Sequence, residues 1–413
     1  MQPAKALALN SPEGSNSRAS HASSAHKLFP RIFSVRSVKI FIRERKIIMK
    51  TSDFNYNLPV DQIAQTPVEP RDSSKLMVVD KNTQQIKHEH FSDIINYLQA
   101  GDLLVWNNSK VFKARLRGVL RLDEKTADTK IPKNATDKIL NATTVEIFLV
   151  RPMENFGVWK ALAKPGKKLR LGMKVIFAPD FSAEVMTKEN DGTVLLQFNT
   201  DDITVRTKAN QYGEVPTPPY IKSEKFVGLE KRYQTIYAKY EGSVAAPTAG
   251  FHFTPELVEK LKNKGVEFAE VTLHVGLGTF LPVKTEKIEE HKMHSEWIEL
   301  TDKNAHLISS AKSAGRRVVA VGTTTVRTLE GLAIKFGEGE IEPYQGDINL
   351  FITPGFKFKI VDAMITNFHL PESTLLMLVC AFANDREFML RCYDEAVKEN
   401  YRFFSFGDAM LIK

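Results

Sequence analysis

Residues 317–337 read RVVAVGTTTVRTLEGLAIKFG. Val318, Val319, Ala320 and Val321 form a short unbroken apolar run, the pattern of a buried strand. Gly322 turns the chain, Thr323, Thr324 and Thr325 follow, and the spacing predicts a helix that carries Arg327 and ends near Gly337. A second unit repeats the arrangement. Val361–Ile365 reads as a strand, the loop runs from Thr366 through Asn367, Phe368 and His369 to Glu372, and Ser373 opens an apolar helix. Both loops leave the C-terminal end of a strand and enter a helix N-terminus. In open α/β sheets that edge is where ligands bind, and its hydroxyls and free N–H groups favour anions.

Between these units and Gly213 the chain alternates strands and helices, so an α/β main domain with a mixed sheet is expected. Its densest loop is Gly242–Gly250, which contains Pro247 and Thr248 and runs into Phe251, His252 and Phe253. Thr254 then suits an N-cap, Pro255 the first helical position and Gly265 the stop. In the next strand Val271, Leu273 and Val275 share one face, with Thr272 and His274 on the other. The strand ends in Gly276, Leu277, Gly278, Thr279 and Phe280. Small loops flanked by histidines and phenylalanines suit a flat, polar ligand.

The region from Val111 to about Tyr212 changes period. Short alternating runs such as Val145–Val150 and Thr193–Phe198 predict a small β-barrel inserted into the main domain. The expected boundaries are 49–112 and 213–413 for the α/β catalytic domain and 113–212 for the barrel. Asp123–Thr144, polar and rich in Lys, Asp, Thr and Asn, reads as an exposed insertion. Residues 1–48 hold nine Lys and Arg against two Glu, and so carry most of the net charge of +8. They read as a disordered or non-native extension, or a targeting segment. The body is close to neutral, so an RNA-binding surface has to be a local patch. The densest basic run in the body is Lys164, Lys167, Lys168 and Arg170.

The chain contains two cysteines, Cys380 and Cys392, which fits a reducing cytoplasm better than a disulfide framework. No apolar run reaches the length of a membrane span. His291 and His294 have no Cys partners nearby, so no metal is expected.

GSVAAPTAG-x-HFTPEL followed by VTLHVG-x-GTF resembles the S-adenosylmethionine:tRNA ribosyltransferase-isomerases of queuosine biosynthesis. The resemblance extends from Met49 through GDLLVWNNSKVFKARL, GEVPTPPYI, KMHSEW, VGTTTVRTLE, TNFHLPESTLLMLVCAFA and FFSFGDAMLI. It implies that S-adenosylmethionine is a consumed substrate, with no separate cofactor. Its ribosyl part would be transferred to 7-aminomethyl-7-deazaguanine at a tRNA wobble position and isomerised, giving epoxyqueuosine, adenine and methionine. A cytoplasmic monomer is expected. An S-adenosylmethionine-dependent RNA methyltransferase and a non-catalytic RNA-binding protein are the rival readings. The first strand lacks a G-x-G-x-G turn, which speaks against methyl transfer.

This chemistry needs a base for a 5′-hydrogen acidified by the neighbouring sulfonium, an acid for adenine, and a site that excludes water. His252 and His274 are the favoured bases, with His294 and His369 also in matching motifs and Glu296 as acid or orienter. Thr323, Thr324 and Arg327 are expected at the methionine carboxylate. Phe253, Phe280 and Phe368 are expected at the sulfonium or the ring. Pro247, Thr248, Gly250, Gly276, Gly278, Thr279, Asn367 and His369 complete the expected substrate contacts. Asn107 and Arg115, at the junction of main domain and barrel, join Lys164, Lys167 and Lys168 as expected RNA contacts.

The barrel lysines yield a direct test. Neutralising Lys164, Lys167 and Lys168 together should weaken tRNA binding and flatten its salt dependence, by a slope of about one for each phosphate no longer neutralised. Unchanged affinity and slope would make this turn merely solvated.

Overall fold

The structure, a computed structural model, describes residues 49–122, 143–189, 192–216, 218, 220–221, 228–276, 283–337 and 340–413. The extension expected at residues 1–48 lies outside them, as does nearly all of the insertion expected at Asp123–Thr144.

The strands begin with β1 (Lys75–Asp80), β2 (Gln85–His90), β3 (Leu103–Asn107) and β4 (Ser109–Val111). The middle of the chain forms β5 (Arg115–Leu122), β6 (Thr144–Pro152), β7 (Val158–Lys164), β8 (Met173–Ala178), β9 (Phe181–Lys188) and β10 (Val194–Phe198). There follow β11 (Tyr240–Ser243), β12 (Glu267–Leu273), β13 (Glu296–Leu300), β14 (Val318–Val321), β15 (Tyr344–Ile348), β16 (Ala363–Asn367) and β17 (Ala409–Ile412). The helices are α1 (Asp202–Tyr212), α2 (Leu229–Arg232), α3 (Pro255–Asn263), α4 (Asp302–Ser313), α5 (Thr323–Phe336), α6 (Thr374–Ala383) and α7 (Arg386–Lys398).

Nine strands form one sheet in the order β15-β13-β12-β3-β14-β16-β17-β1-β2. The central four, β12, β3, β14 and β16, are parallel, and antiparallel pairs on both flanks make the sheet mixed. The apolar runs explain the centre: every residue of β3, β14, β16 and β17 is buried. A strand covered on both faces needs such a run. At one edge, β2 (QIKHEH) buries none of its residues, and its charges discourage pairing with another chain. Alternate residues serve two helical layers. Met77, Val105, Ala320 and Met364 pack with Val326 and Leu329 of α5. Val78, Leu104, Val319 and Ile365 pack with Leu257 and Leu261 of α3. As expected, Thr254 caps α3, accepting from Leu257 N at 3.2 Å, and Ser373 caps α6, accepting from Leu376 N at 3.2 Å.

The expected barrel is present, closed in the order β10-β7-β6-β5-β8-β9. It has its own core, which includes Leu116, Ile147, Trp159, Val175 and Leu196. Helix α1 adds Val205 and Ala209 to that core and is capped by Asp201, which accepts from Thr204 N at 2.7 Å. Gly118 lies in β5 where a Cβ would stand 2.6 Å from Val175 Cγ1, so only glycine fits there. The short parallel pair β4–β11 lies between the end of β3 and the start of the barrel.

Asn107 ends β3 with its side chain fully buried. Its Oδ1 accepts from the backbone N–H groups of Leu273 and Ser109, both at 3.0 Å. Its Nδ2 donates to Leu273 O at 3.0 Å and to Thr324 Oγ1 at 3.4 Å. One amide thus ties the end of β12 to the end of β3 and to the start of α5. This corrects the sequence reading of Asn107 as an RNA contact, because its hydrogen-bonding capacity is committed inside the protein. Asn107→Ala should lower stability by roughly 3 kcal/mol, since it leaves buried backbone groups unpaired. Urea unfolding should show a lower midpoint at unchanged m. An unchanged midpoint would mean that water takes over the amide's bonds.

Candidate active site

The parallel strands β12, β3, β14 and β16 all end at the same edge of the sheet, and residues that follow β12, β14 and β16 help to bound a cavity of about 610 Å³. One wall is the small-residue loop Ala245–Ala249. A second is the turn from Gly322 into α5, with Thr323 and Thr324. The third is the loop after β16, from Thr366 to the first turn of α6. Gly322 holds φ +86, so the turn requires glycine for its backbone angle.

The chemistry of the walls is divided. At the start of α5 the first backbone N–H groups have no partner within the helix, which creates a field suited to an anion. Across the cavity Tyr220 stacks on Phe404 with ring centroids 4.6 Å apart, and its hydroxyl lies 2.7 Å from Ser405 Oγ. Tyr220, Tyr233, Phe404 and Ser405 line the cavity, and sequence reasoning assigned them no role. For Tyr220, Phe404 and Ser405 the available signal was their position in the segments GEVPTPPYI and FFSFGDAMLI.

Asn367 and His369 line the third wall. The Asn367 Nδ2 donates to Phe404 O at 2.9 Å, which fixes the amide and leaves its buried Oδ1 unpartnered. His369 Nε2 lies 2.8 Å from Thr366 Oγ1, and its carbonyl accepts from the Tyr56 hydroxyl at 2.5 Å. His252 is buried behind this wall. Its Nδ1 lies 2.7 Å from Ser74 Oγ. Its Nε2 is close enough to Asn367 for the amide to favour the protonated ring, although the pair lacks the geometry of a full hydrogen bond.

Of the expected substrate contacts, Pro247, Thr248, Thr323, Thr324, Asn367, Phe368 and His369 meet at this cavity. Others do not. Phe253 is fully buried in the core between Phe91 and Trp106, with ring centroids at 5.0 and 6.0 Å, which corrects its assignment to the ligand. Gly250 is small for packing, since a Cβ would collide with the Tyr237 hydroxyl. Gly276 is half-buried and its N–H donates to Glu296 Oε1 at 3.3 Å. Gly278, Thr279 and Phe280 lie outside the described residues.

Arg327 and Glu296 form a buried ion pair, Nη1 to Oε2 at 2.5 Å, with side chains 6% and 4% exposed. Arg327 Nε also donates to Leu350 O at 3.2 Å. Arg327 therefore sits one turn along α5 from Thr323 and is not among the residues that line the cavity. His274 also lies off the cavity. It stacks on Trp297 at 4.9 Å and 10°, and a Cβ on Gly242 would meet its ring at 2.5 Å. His294 is exposed and away from the walls. Of the expected RNA contacts, Arg115 binds Glu146 through two nitrogens, at 2.9 and 3.3 Å, while Lys164, Lys167 and Lys168 are exposed. Among the described residues no helix is long and apolar enough to cross a membrane.

A mixed α/β sheet with an inserted barrel and a mid-sized cavity at the carboxyl edge of its parallel strands defines the class: an α/β protein built around a small-ligand site. The family model described as "Queuosine biosynthesis protein" matches residues 51–412, and the chain belongs to that family. An S-adenosylmethionine:tRNA ribosyltransferase-isomerase of Thermotoga petrophila is 53% identical over 365 residues, covering 88% of this chain and 100% of the relative. The protein of the same name from Thermotoga maritima is 52% identical with the same coverage. The crystal structure of S-adenosylmethionine tRNA ribosyltransferase from Thermotoga maritima aligns with a TM-score of 0.49 and 42% identity, over 88% of this chain and 100% of that one.

Burial pushes the imidazoles of His252 and His369 down to about 3, and burial with the nearby Arg206 charge pushes His274 down to about 4. All three rings are neutral at pH 7. In the unfolded chain they take up protons near 6.5, so between about 3 and 6.5 the unfolded state binds more protons. Their contribution is present in full above that window and is lost as pH falls through it. The thermal midpoint should therefore drop between pH 7 and pH 4. A His252→Gln, His369→Gln double variant should show a shallower drop. Equal slopes for variant and wild type would contradict this role of the buried rings.

Proposed function

We propose that this chain transfers and isomerises the ribosyl part of S-adenosylmethionine onto 7-aminomethyl-7-deazaguanine at the wobble position of a tRNA. The products are epoxyqueuosine in the tRNA, adenine and methionine. The observation that carries the reading is the cavity lined both by Thr323 and Thr324 at a helix N-terminus and by the Tyr220–Phe404 stack. The relatives at about half identity carry the corresponding name.

In this reading the methionine carboxylate docks on the first N–H groups and hydroxyls of α5. The sulfonium and the adenine lie along the aromatic faces of Tyr220 and Phe404. A base removes one 5′-hydrogen, made acidic by the neighbouring positive sulfur. The electron pair left on C5′ breaks the C4′–O4′ bond and opens the sugar. The freed oxygen forms a carbonyl at C1′ as the C1′–N bond breaks, and adenine leaves with that electron pair and takes up a proton. The primary amine of the wobble base adds to C4′ and loses a proton. The electron pair returned to C5′ attacks the C1′ carbonyl and closes a five-carbon ring, and the resulting alkoxide closes the epoxide on C5′, expelling methionine with the carbon–sulfur electron pair. S-adenosylmethionine is consumed and no cofactor takes part. The protein works as a cytoplasmic monomer, with the exposed barrel lysines on the tRNA backbone.

Of the two favoured bases, His252 lies beside the wall residue Asn367, whereas His274 is packed on Trp297. We therefore assign the base to His252. Ser74 Oγ can accept a hydrogen bond from its Nδ1–H, which leaves the Nε2 lone pair free. Arg327 and Glu296 act from behind the wall by fixing Gly276.

The activity is tested by incubating the protein with S-adenosylmethionine and tRNA bearing the precursor base. Mass analysis should find epoxyqueuosine and free adenine. S-adenosylhomocysteine in place of adenine would make the protein a methyltransferase. The base is tested with S-adenosylmethionine deuterated at the 5′-carbon. Wild type should release one label to solvent during turnover, and His252→Gln should slow that release by about 10²–10⁴-fold. Release at the wild-type rate would move the role to His274, His294, His369 or Glu296.

A further inference from the structure

Beside the cavity lies a second depression of about 560 Å³, open to solvent. It shares Ile63, Leu370 and Pro371 with the cavity, so the two meet at a common rim. Its floor is the Tyr56 ring, held by packing on Tyr393 at 5.0 Å and by the hydrogen bond from its hydroxyl to His369 O at 2.5 Å. Its sides are Ile63 and Leu370, the latter an exposed leucine at 42%. Asn55 and Asn57 stand exposed at its rim. The two walls are joined: Glu372, at φ 58 in the left-handed region, donates its N–H to Phe54 O at 2.9 Å.

We propose that this groove is the subsite for the acceptor nucleobase, a 7-deazaguanine-type base turned out of the anticodon loop. The inference rests on the ribosyl-transfer reading, because it places the second substrate where its amine can meet the first. Three properties of the groove select this occupant. Apolar sides and an aromatic floor suit the faces of an unstacked base. Side-chain amides offer a donor and an acceptor together, the complement of the lactam and amino edge of a guanine-type ring. Among the described residues no lysine or arginine lines the groove, so it is not built for a phosphate. It also shares a rim with the cavity, so a base seated with its aminomethyl group toward that rim would meet S-adenosylmethionine.

The test compares wild type with an Asn55→Ala, Asn57→Ala double variant and, separately, with Leu370→Ser. Both variants remove exposed groups, and thermal melting checks that each folds. The KM for precursor tRNA should rise about tenfold or more in the double variant. In the double variant, whose residues line the groove but not the cavity, the KM for S-adenosylmethionine should stay close to the wild-type value, and the salt dependence of tRNA binding should keep its slope. An unchanged KM for tRNA in both variants, or a rise confined to S-adenosylmethionine, would overturn the proposal. Direct binding separates this from a failure of the ribosyl-transfer reading. An anticodon stem-loop carrying the aminomethyl base should bind wild type more tightly than one carrying guanine, and the double variant should lose that preference. If wild type makes no epoxyqueuosine but the preference exists and is lost, the groove stands and the reaction is misassigned. If wild type shows no preference, the groove assignment falls whatever the reaction.

Discussion

The site depends on one buried amide. Asn107 stands at the carboxyl end of β3 and holds the end of β12 through both its N–H and its carbonyl, with a longer contact to Thr324. A sheet edge that offers its loops to a ligand has a difficulty: the last residue of each strand loses its ladder partners just where the chain must turn. Backbone groups left unpaired away from water are costly. An asparagine can satisfy a donor and an acceptor of a neighbouring strand together, and here it does so from a fully buried position. The loop after β12 and the first turn of α5 are thus fixed relative to each other before any ligand arrives. Preorganisation of this kind lowers the cost of binding.

Behind the same edge the Arg327–Glu296 pair performs a related task. Two charges with side chains 6% and 4% exposed gain little net stability from meeting, because desolvation offsets most of their attraction. Losing either partner would leave the other charge stranded. The geometry assigns the pair a positioning role: Glu296 also receives the Gly276 N–H, and Arg327 reaches Leu350 O. The buried histidines follow similar logic. Each is held neutral by desolvation, and His252 and His369 are oriented by the hydroxyls of Ser74 and Thr366.

What the sequence revealed follows from the range of the interactions. The strand–turn–helix units at 317–337 and 361–383 were legible because apolar runs, a turn glycine and cap residues are local signals. The barrel was legible from the change to a two-residue period. Thr323, Thr324, Pro247, Thr248, Asn367 and His369 were legible as wall residues because loops at the carboxyl ends of parallel strands converge. Tyr220 and Ser405 were not, since their contact joins positions 185 residues apart. The burial of Asn107 and Phe253, and the pairing of Arg327 with Glu296, arise from packing between elements that no spacing rule encodes.

The proposed reaction requires one cavity to order S-adenosylmethionine from the α5 N-terminus to the Tyr220–Phe404 stack. A crystal structure with an unreactive analogue, in which the sulfonium is replaced by a neutral centre, measures that placement directly. The analogue's carboxylate should lie within hydrogen-bonding distance of the Thr323 and Thr324 N–H groups or hydroxyls, with its adenine or sulfur-equivalent atom against the Tyr220 ring. An analogue seated instead beside His274 and Trp297, with the cavity empty, would contradict this placement.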